Sequence, residues 1–160
     1  MADLLVRLYT LPPLEPALET AGAAGVTVRR AAPAERGAVA EWVRTHGSPG
    51  WANECEAAFA RQPTGCFVAV DGAGKGHLVG VACYEATCRD FFGPELVHPD
   101  SRGKGVGRAL LLSALHAMHA EGYGYAIIGW ASSIDFYKRA VGAVVIEGSD
   151  PGIYPAKLLR

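Results

Sequence analysis

The sequence predicts an α/β (α+β) fold, a mixed sheet with helices on both faces. Three observations carry this. The chain has 160 residues, 50% of them hydrophobic, enough for one domain, since a typical domain holds roughly 100–200 residues. Short strand-like runs alternate with segments of helical period. Some runs are joined by tight turns and should pair antiparallel, whereas those joined through helices should run parallel.

The elements follow in order. Residues 4–9 alternate weakly and read as a strand, ended by the proline-rich stretch 11–16. Residues 26–30 form a second strand, with Val26 and Val28 on one face. Pro33 opens a helix, a suitable residue for a first turn; Val39, Trp42 and Val43 share one side, and it stops near Gly47. After a loop at 46–50, a second helix covers about 51–61 and ends before Pro63. Residues 66–70 and 78–84 are strands joined by Asp71-Gly72-Ala73-Gly74-Lys75-Gly76, a hairpin loop. A strand over 90–98 is broken or bulged at Gly93-Pro94. The glycine-rich, basic segment 99–107 then leads into a long helix to about 121. A strand at 125–129, a short helix at 132–139 and a strand at 143–147 follow, with a further strand offered by 153–159. With no internal repeat and no linker, residues 1–160 read as a single domain, in which 1–25 is an N-terminal extension with a possible extra edge strand.

Composition narrows the function. The 20 glycines exceed the average usage of about 7%. They are not periodic, and the hydrophobic content argues against disorder, so the excess needs a local explanation. A net charge of -1 argues against a nonspecific nucleic-acid binder. No apolar run approaches the roughly 20 residues that span a bilayer. Residues 1–14 include Asp3 and Arg7 and lack the order of a signal peptide. The expectation is a cytoplasmic protein without nucleic-acid or membrane partners. Cys55, Cys66, Cys83 and Cys88 form no C-x-x-C pair, and no histidines stand near them at zinc spacing. They read as reduced, mostly buried thiols, and no metal is expected.

The richest segment runs Leu96-Val97-His98-Pro99-Asp100-Ser101-Arg102-Gly103-Lys104-Gly105-Val106-Gly107-Arg108. A strand enters a turn, and the turn opens a helix. Glycines leave backbone N–H groups unshielded, and a helix N-terminus offers unpaired donors and partial positive charge. Arg102, Lys104 and Arg108 add positive charge, so the segment suits phosphates. A P-loop fails because Gly105 follows Lys104. A dinucleotide fingerprint fails because Arg108 replaces its third glycine. R-x-x-G-x-G fits, through Arg102, Gly105 and Gly107.

That motif resembles the acyl-CoA-binding loop of the GNAT superfamily of N-acyltransferases. Asp135-Phe136-Tyr137-Lys138-Arg139-Ala140-Val141-Gly142 resembles the family's second signature. The resemblance runs from about Val26 to Glu147. It implies a mostly antiparallel central sheet of six to seven strands, with a splayed strand pair at the coenzyme site. It implies acetyl-CoA as co-substrate, its pyrophosphate resting on amides from Arg102 to Gly107, including Gly103 and Val106. Leu96, Val97 and His98 would line the pantetheine arm, with the Val97 N–H aimed at the thioester carbonyl. Ser133, Phe136, Tyr137 and Arg139 complete the implied coenzyme contacts. The sequence departs from the family where Trp130 replaces an asparagine, where Ala143 replaces a phenylalanine, and where one extra residue precedes Gly142.

Tyr137 matches the family's general acid, and a phenol is mostly protonated at neutral pH. The general base stays open between Glu85 and Glu95, either of which can also be read as a surface glutamate at a strand edge. His116 and His119 read as surface or packing residues. For the acceptor, Trp51 and Glu54 could hold an ammonium by cation–π and ion-pair contacts, or Trp51 could cap the core with Glu54 solvated. The expectation is transfer of acetyl from acetyl-CoA to a primary amine of a small molecule by direct attack on the thioester. A non-catalytic acyl-CoA sensor, an acetyltransferase for a protein or peptide amine, and an unrelated nucleotide-binding protein are the alternatives. A homodimer would form if the strand at 4–9 is an exposed edge.

Overall fold

The computed structural model of the protein describes residues 1–72 and 76–153. In chain order its elements are β1 (Leu4–Arg7), α1 (Glu15–Ala23), β2 (Val26–Arg30), α2 (Arg36–His46), α3 (Pro49–Ala58), β3 (Cys66–Asp71), β4 (Leu78–Tyr84), β5 (Phe91–Val97), α4 (Val106–Ala120), β6 (Tyr125–Ile128), α5 (Ile134–Val141) and β7 (Val144–Val145). The strands form one seven-stranded sheet in the order β2-β3-β4-β5-β6-β1-β7. Every neighbouring pair is antiparallel except β5 and β6, which run parallel through α4. This is the mixed, mostly antiparallel sheet that the sequence predicts.

Side-chain alternation along β3 and β4, interrupted at Val79 by a register shift, sorts the core onto two faces. Phe67, Ala69, Val79, Ala82 and Tyr84 face a cluster built on α4 and α1, whereas Val68, Val70, Val81 and Cys83 face α2 and α3. Helix α4 is the buried axis of the first cluster, with Leu110, Leu111, Leu112 and Leu115 fully enclosed. Cys55, Cys66 and Cys83 are buried free thiols and Cys88 is partly exposed.

Two expectations are corrected. Residues 15–23 drew no helix from the sequence because Pro12, Pro13 and Pro16 crowd the approach. Pro16 in fact lies in the first turn of α1, where its missing N–H removes no helical bond. Strand β1 forms, but it is not an edge. It pairs with β6 on one side and β7 on the other. Its hydrogen bonds are used within the chain, so the basis for a dimer through an exposed β1 is gone. The sheet ends instead at β2 and β7. Apart from Ile153, the strand expected over 153–159 lies outside the described residues, as does the middle of the β3–β4 loop.

Candidate active site

The site begins with a fault in the sheet. Between Phe92 and Glu95, β5 holds one residue more than β4 holds between Ala82 and Tyr84. A bulge of this kind bends its strand. Accordingly β5 pairs with β6 only at Phe91–Ile127 and Phe92–Ile128, then leaves it. The splay opens where Gly93-Pro94 predicts a break.

Backbone alternation sets which groups face the gap. The His98 N–H donates to the Val79 carbonyl at 2.8 Å, and Val97 stands opposite Gly80. In an antiparallel ladder this makes Val97 a non-hydrogen-bonded position. Its N–H and C=O therefore point away from β4, into the gap. The Val97 carbonyl accepts from Arg102 Nε at 3.1 Å, which pins the following loop to the strand.

That loop turns through Gly103 and Gly105, at φ +73° and +79°, a region that L side chains rarely adopt. Gly105 caps α4. The first helical bond runs from the Ala109 N–H to the Gly105 carbonyl at 3.0 Å. The amides of Val106, Gly107 and Arg108 precede it and have no acceptor within the helix. A side chain on Gly105 would meet Thr20 of α1, with Cβ only 2.8 Å from Thr20 Cγ2.

Loop and splay border one cavity of about 680 Å³. Leu96, Val97, Arg102, Gly103 and Gly105 line one side, and the start of α4 continues it through Arg108. Ser133, Phe136 and Tyr137 close the far side with Trp51 and Ser132. His98, Lys104 and Arg139 do not line it. His98 Nδ1 instead accepts from the Asp100 N–H at 3.3 Å.

Glu95 and Tyr137 both line it and meet there. The Tyr137 hydroxyl donates to Glu95 Oε2 at 3.1 Å. Glu95 Oε1 is buried and has no hydrogen-bond partner. A Cβ added at Gly107 would lie 3.6 Å from that oxygen, so the bare glycine leaves room beside it. Burial pushes the Glu95 carboxyl up to about 8, with the Tyr137 bond pulling the other way. Burial, then the charge and hydrogen bond of Glu95, raise the Tyr137 phenol well above its ordinary value.

The other two acidic candidates lie elsewhere. Glu85 accepts from the Tyr123 hydroxyl and pairs with Arg61. Arg61 also binds Glu121, which follows the far end of α4 from the loop. Glu54 accepts from Thr87 Oγ1 at 2.7 Å and lines neither cavity at the site. His116 and His119 bind the carbonyls of Pro12 and Tyr123, in keeping with packing roles.

A smaller cavity of about 70 Å³ adjoins the first and shares Trp51, Glu95, Ser132 and Tyr137 with it. Phe92, Ile128 and Trp130 are its own walls. The sequence had not singled out Phe92 as a site residue, whereas Ser132 stood beside Ser133 among the implied coenzyme contacts. Trp130 had appeared only as a departure from a family pattern, though a large apolar residue beside the second signature was the available signal.

Residues 62–140 match the family model described as Acetyltransferase (GNAT) domain. This stretch of the chain is a GNAT domain. The matched span holds the splay, the loop, Glu95 and Tyr137. The fold is also similar to solved GNAT structures. A GCN5-related glucosamine N-acetyltransferase region of a fungal multi-domain GH3 β-N-acetylglucosaminidase aligns with a TM-score of 0.73 at 14% identity, over 91% of this chain and 19% of that one. A GCN5-related N-acetyltransferase from Sphaerobacter thermophilus aligns with a TM-score of 0.62 at 20% identity, over 91% and 48%. This chain thus spans less than half the length of either protein. No curated protein matches the sequence. Among the described residues, no cluster of His, Cys, Asp or Glu could hold a metal, and no helix is long and apolar enough to cross a membrane.

Proposed function

We propose that the protein transfers an acetyl group from acetyl-CoA to the primary amine of a small molecule, with Glu95 as general base and Tyr137 as general acid. The observation that carries this is the half-buried Glu95–Tyr137 pair beside the open splay, with Glu95 Oε1 enclosed and unpartnered. Burial brings the Glu95 carboxyl close to neutrality, where a general base is effective, and the same pair keeps Tyr137 protonated until Glu95 has taken up a proton.

Acetyl-CoA suits the residues present. The amides of Val106, Gly107 and Arg108 with the Arg108 guanidinium hold its phosphates, and the open side of β5 takes the pantetheine as an added strand. The Val97 N–H steadies the negative charge that builds on the thioester oxygen as the amine attacks.

Protons then balance within the pair. Glu95 takes a proton from the attacking amine, directly or through one water. Its neutralisation removes the charge that holds the Tyr137 proton most tightly after burial itself. Tyr137 becomes a better acid at the moment the C–S bond breaks, and gives its proton to the thiolate. Glu95 returns the amine proton to the phenolate, which restores both groups and leaves the amide and free coenzyme A.

The test has two parts. Acetyl-CoA at a hundred times its Kd should add about 2.7 kcal/mol to stability, a rise in Tm of about 5–10 °C, with no comparable shift from ATP or NAD. Free thiol should then appear with acetyl-CoA and an amine together. No shift with acetyl-CoA ends the proposal, and binding without transfer to any amine leaves only a sensor.

A further inference from the structure

We propose that the acceptor is a primary amine carried on an uncharged aromatic skeleton, with its amine end in the smaller cavity and its ring against Trp51 and Trp130. The inference rests on the reading above and names the substrate class of that site.

Position comes first. The small cavity shares Trp51, Glu95, Ser132 and Tyr137 with the coenzyme cavity. A nitrogen in it therefore stands beside the proposed base and the Tyr137 hydroxyl. Its volume of about 70 Å³ is roughly twice the share of a water molecule in the liquid. It admits an aminomethyl or aminoethyl end and leaves the rest of the acceptor at the mouth.

The chemistry of the walls comes second. Glu95 is the lone carboxylate among the described residues of this cavity, and no Lys, Arg, Asp or His lines it. A substrate carboxylate, phosphate or second ammonium would find no partner there, and burying an unpaired charge is costly. The remaining walls are apolar or aromatic apart from the Ser132 and Tyr137 hydroxyls. Trp51 and Trp130 each keep 41% of their surface exposed while lining the same cavity. Large exposed aromatic rings at a cavity offer flat apolar area to a ligand ring, which stacks offset or edge-on. The Ser132 hydroxyl supplies a polar contact for the amine.

The proposal is tested by following thiol release with acetyl-CoA and a set of acceptors: 2-phenylethylamine, 2-cyclohexylethylamine, putrescine, lysine, glucosamine and a short lysine-containing peptide. Phenylethylamine should exceed the charged and polar acceptors in kcat/KM by about tenfold or more. It should also exceed its cyclohexyl analogue, which keeps the apolar bulk and loses the aromatic face. Trp130→Leu should raise KM for phenylethylamine severalfold with a smaller change in kcat, and should leave the acetyl-CoA Kd unchanged, since Trp130 lines only the small cavity. Equal or better turnover of putrescine, lysine, glucosamine or the peptide overturns this inference and leaves acetyl transfer standing. Equal turnover of the cyclohexyl analogue overturns the aromatic requirement. Failure of acetyl-CoA to bind, or to react with any amine, overturns the proposed function and this inference with it.

Discussion

At the scale of single residues, the outcome turns on the environment of one carboxylate. Glu85 and Glu95 look alike in the sequence, each close to the end of a strand. Glu85 is held by Tyr123 and Arg61, a setting that makes it structural. Glu95 has one oxygen on Tyr137 and one with no partner. Its raised value, about 8, sets two measurable signs. As the proposed base it acts ionised, so kcat/KM should rise with pH through about 8 and then level. Glu95→Gln should lower kcat about 10²-fold or more and abolish that inflection. Stability should move the other way. The folded carboxyl holds its proton to higher pH than the unfolded one, which titrates near the ordinary 4.5. Between those values the folded state binds more protons, and stability falls as pH rises. The difference in Tm between wild type and Glu95→Gln, followed from pH 4 to pH 9, should therefore turn progressively against wild type. A constant difference would mean that the carboxyl is solvated and not the poised base.

At the scale of elements, the loop before α4 explains part of the glycine excess, though not entirely as the sequence alone implies. An exposed loop suggests that a side chain on Gly105 would fill coenzyme space. The structure turns that direction onto Thr20 of α1, a helix hidden from sequence reading behind its prolines. Gly105→Ala should therefore act through two costs, a positive φ of roughly 1–2 kcal/mol and the contact with Thr20. Thr20→Ala in the same chain should recover the second cost and not the first. A double-mutant cycle in Tm and acetyl-CoA Kd separates them, and an absence of coupling would mean that α1 does not brace the loop. Legibility divides along the same line. The strand–turn–helix order, R-x-x-G-x-G and Tyr137 depend on neighbours in sequence, and were readable. The environment that favours Glu95 as the proposed base, the contact with α1 and the tryptophan-walled cavity depend on residues far apart in the chain. Only packing brings Trp51 and Trp130 to one cavity.

At the scale of the whole molecule, the N-terminal segment changes meaning. Read from the sequence it is an extension with a possible edge strand, outside the resemblance that starts near Val26 and outside the family model, which starts at residue 62. In the structure β1 joins β6 to β7, and Leu4, Val6 and Leu8 are almost wholly buried. Each such side chain contributes about 1.5–3 kcal/mol by burial, so together they rival the 5–15 kcal/mol by which domains are stable. Asp3 adds a further tie, its carboxylate accepting the Trp130 N–H at 2.9 Å at the wall of the small cavity. A chain lacking residues 1–8 should lose cooperative thermal unfolding, and expose the β6 edge to association with other chains. The milder Val6→Ala should leave a folded protein with a Tm lower by several degrees. Acetyl-CoA should bind it nearly as well, because β1 pairs with β6 and β7 and contributes no residue to the lining of the larger cavity. Unchanged, cooperative melting of the truncated chain would show that the sheet from β2 to β6 closes its core unaided, and β1 would then return to the status of an accessory strand.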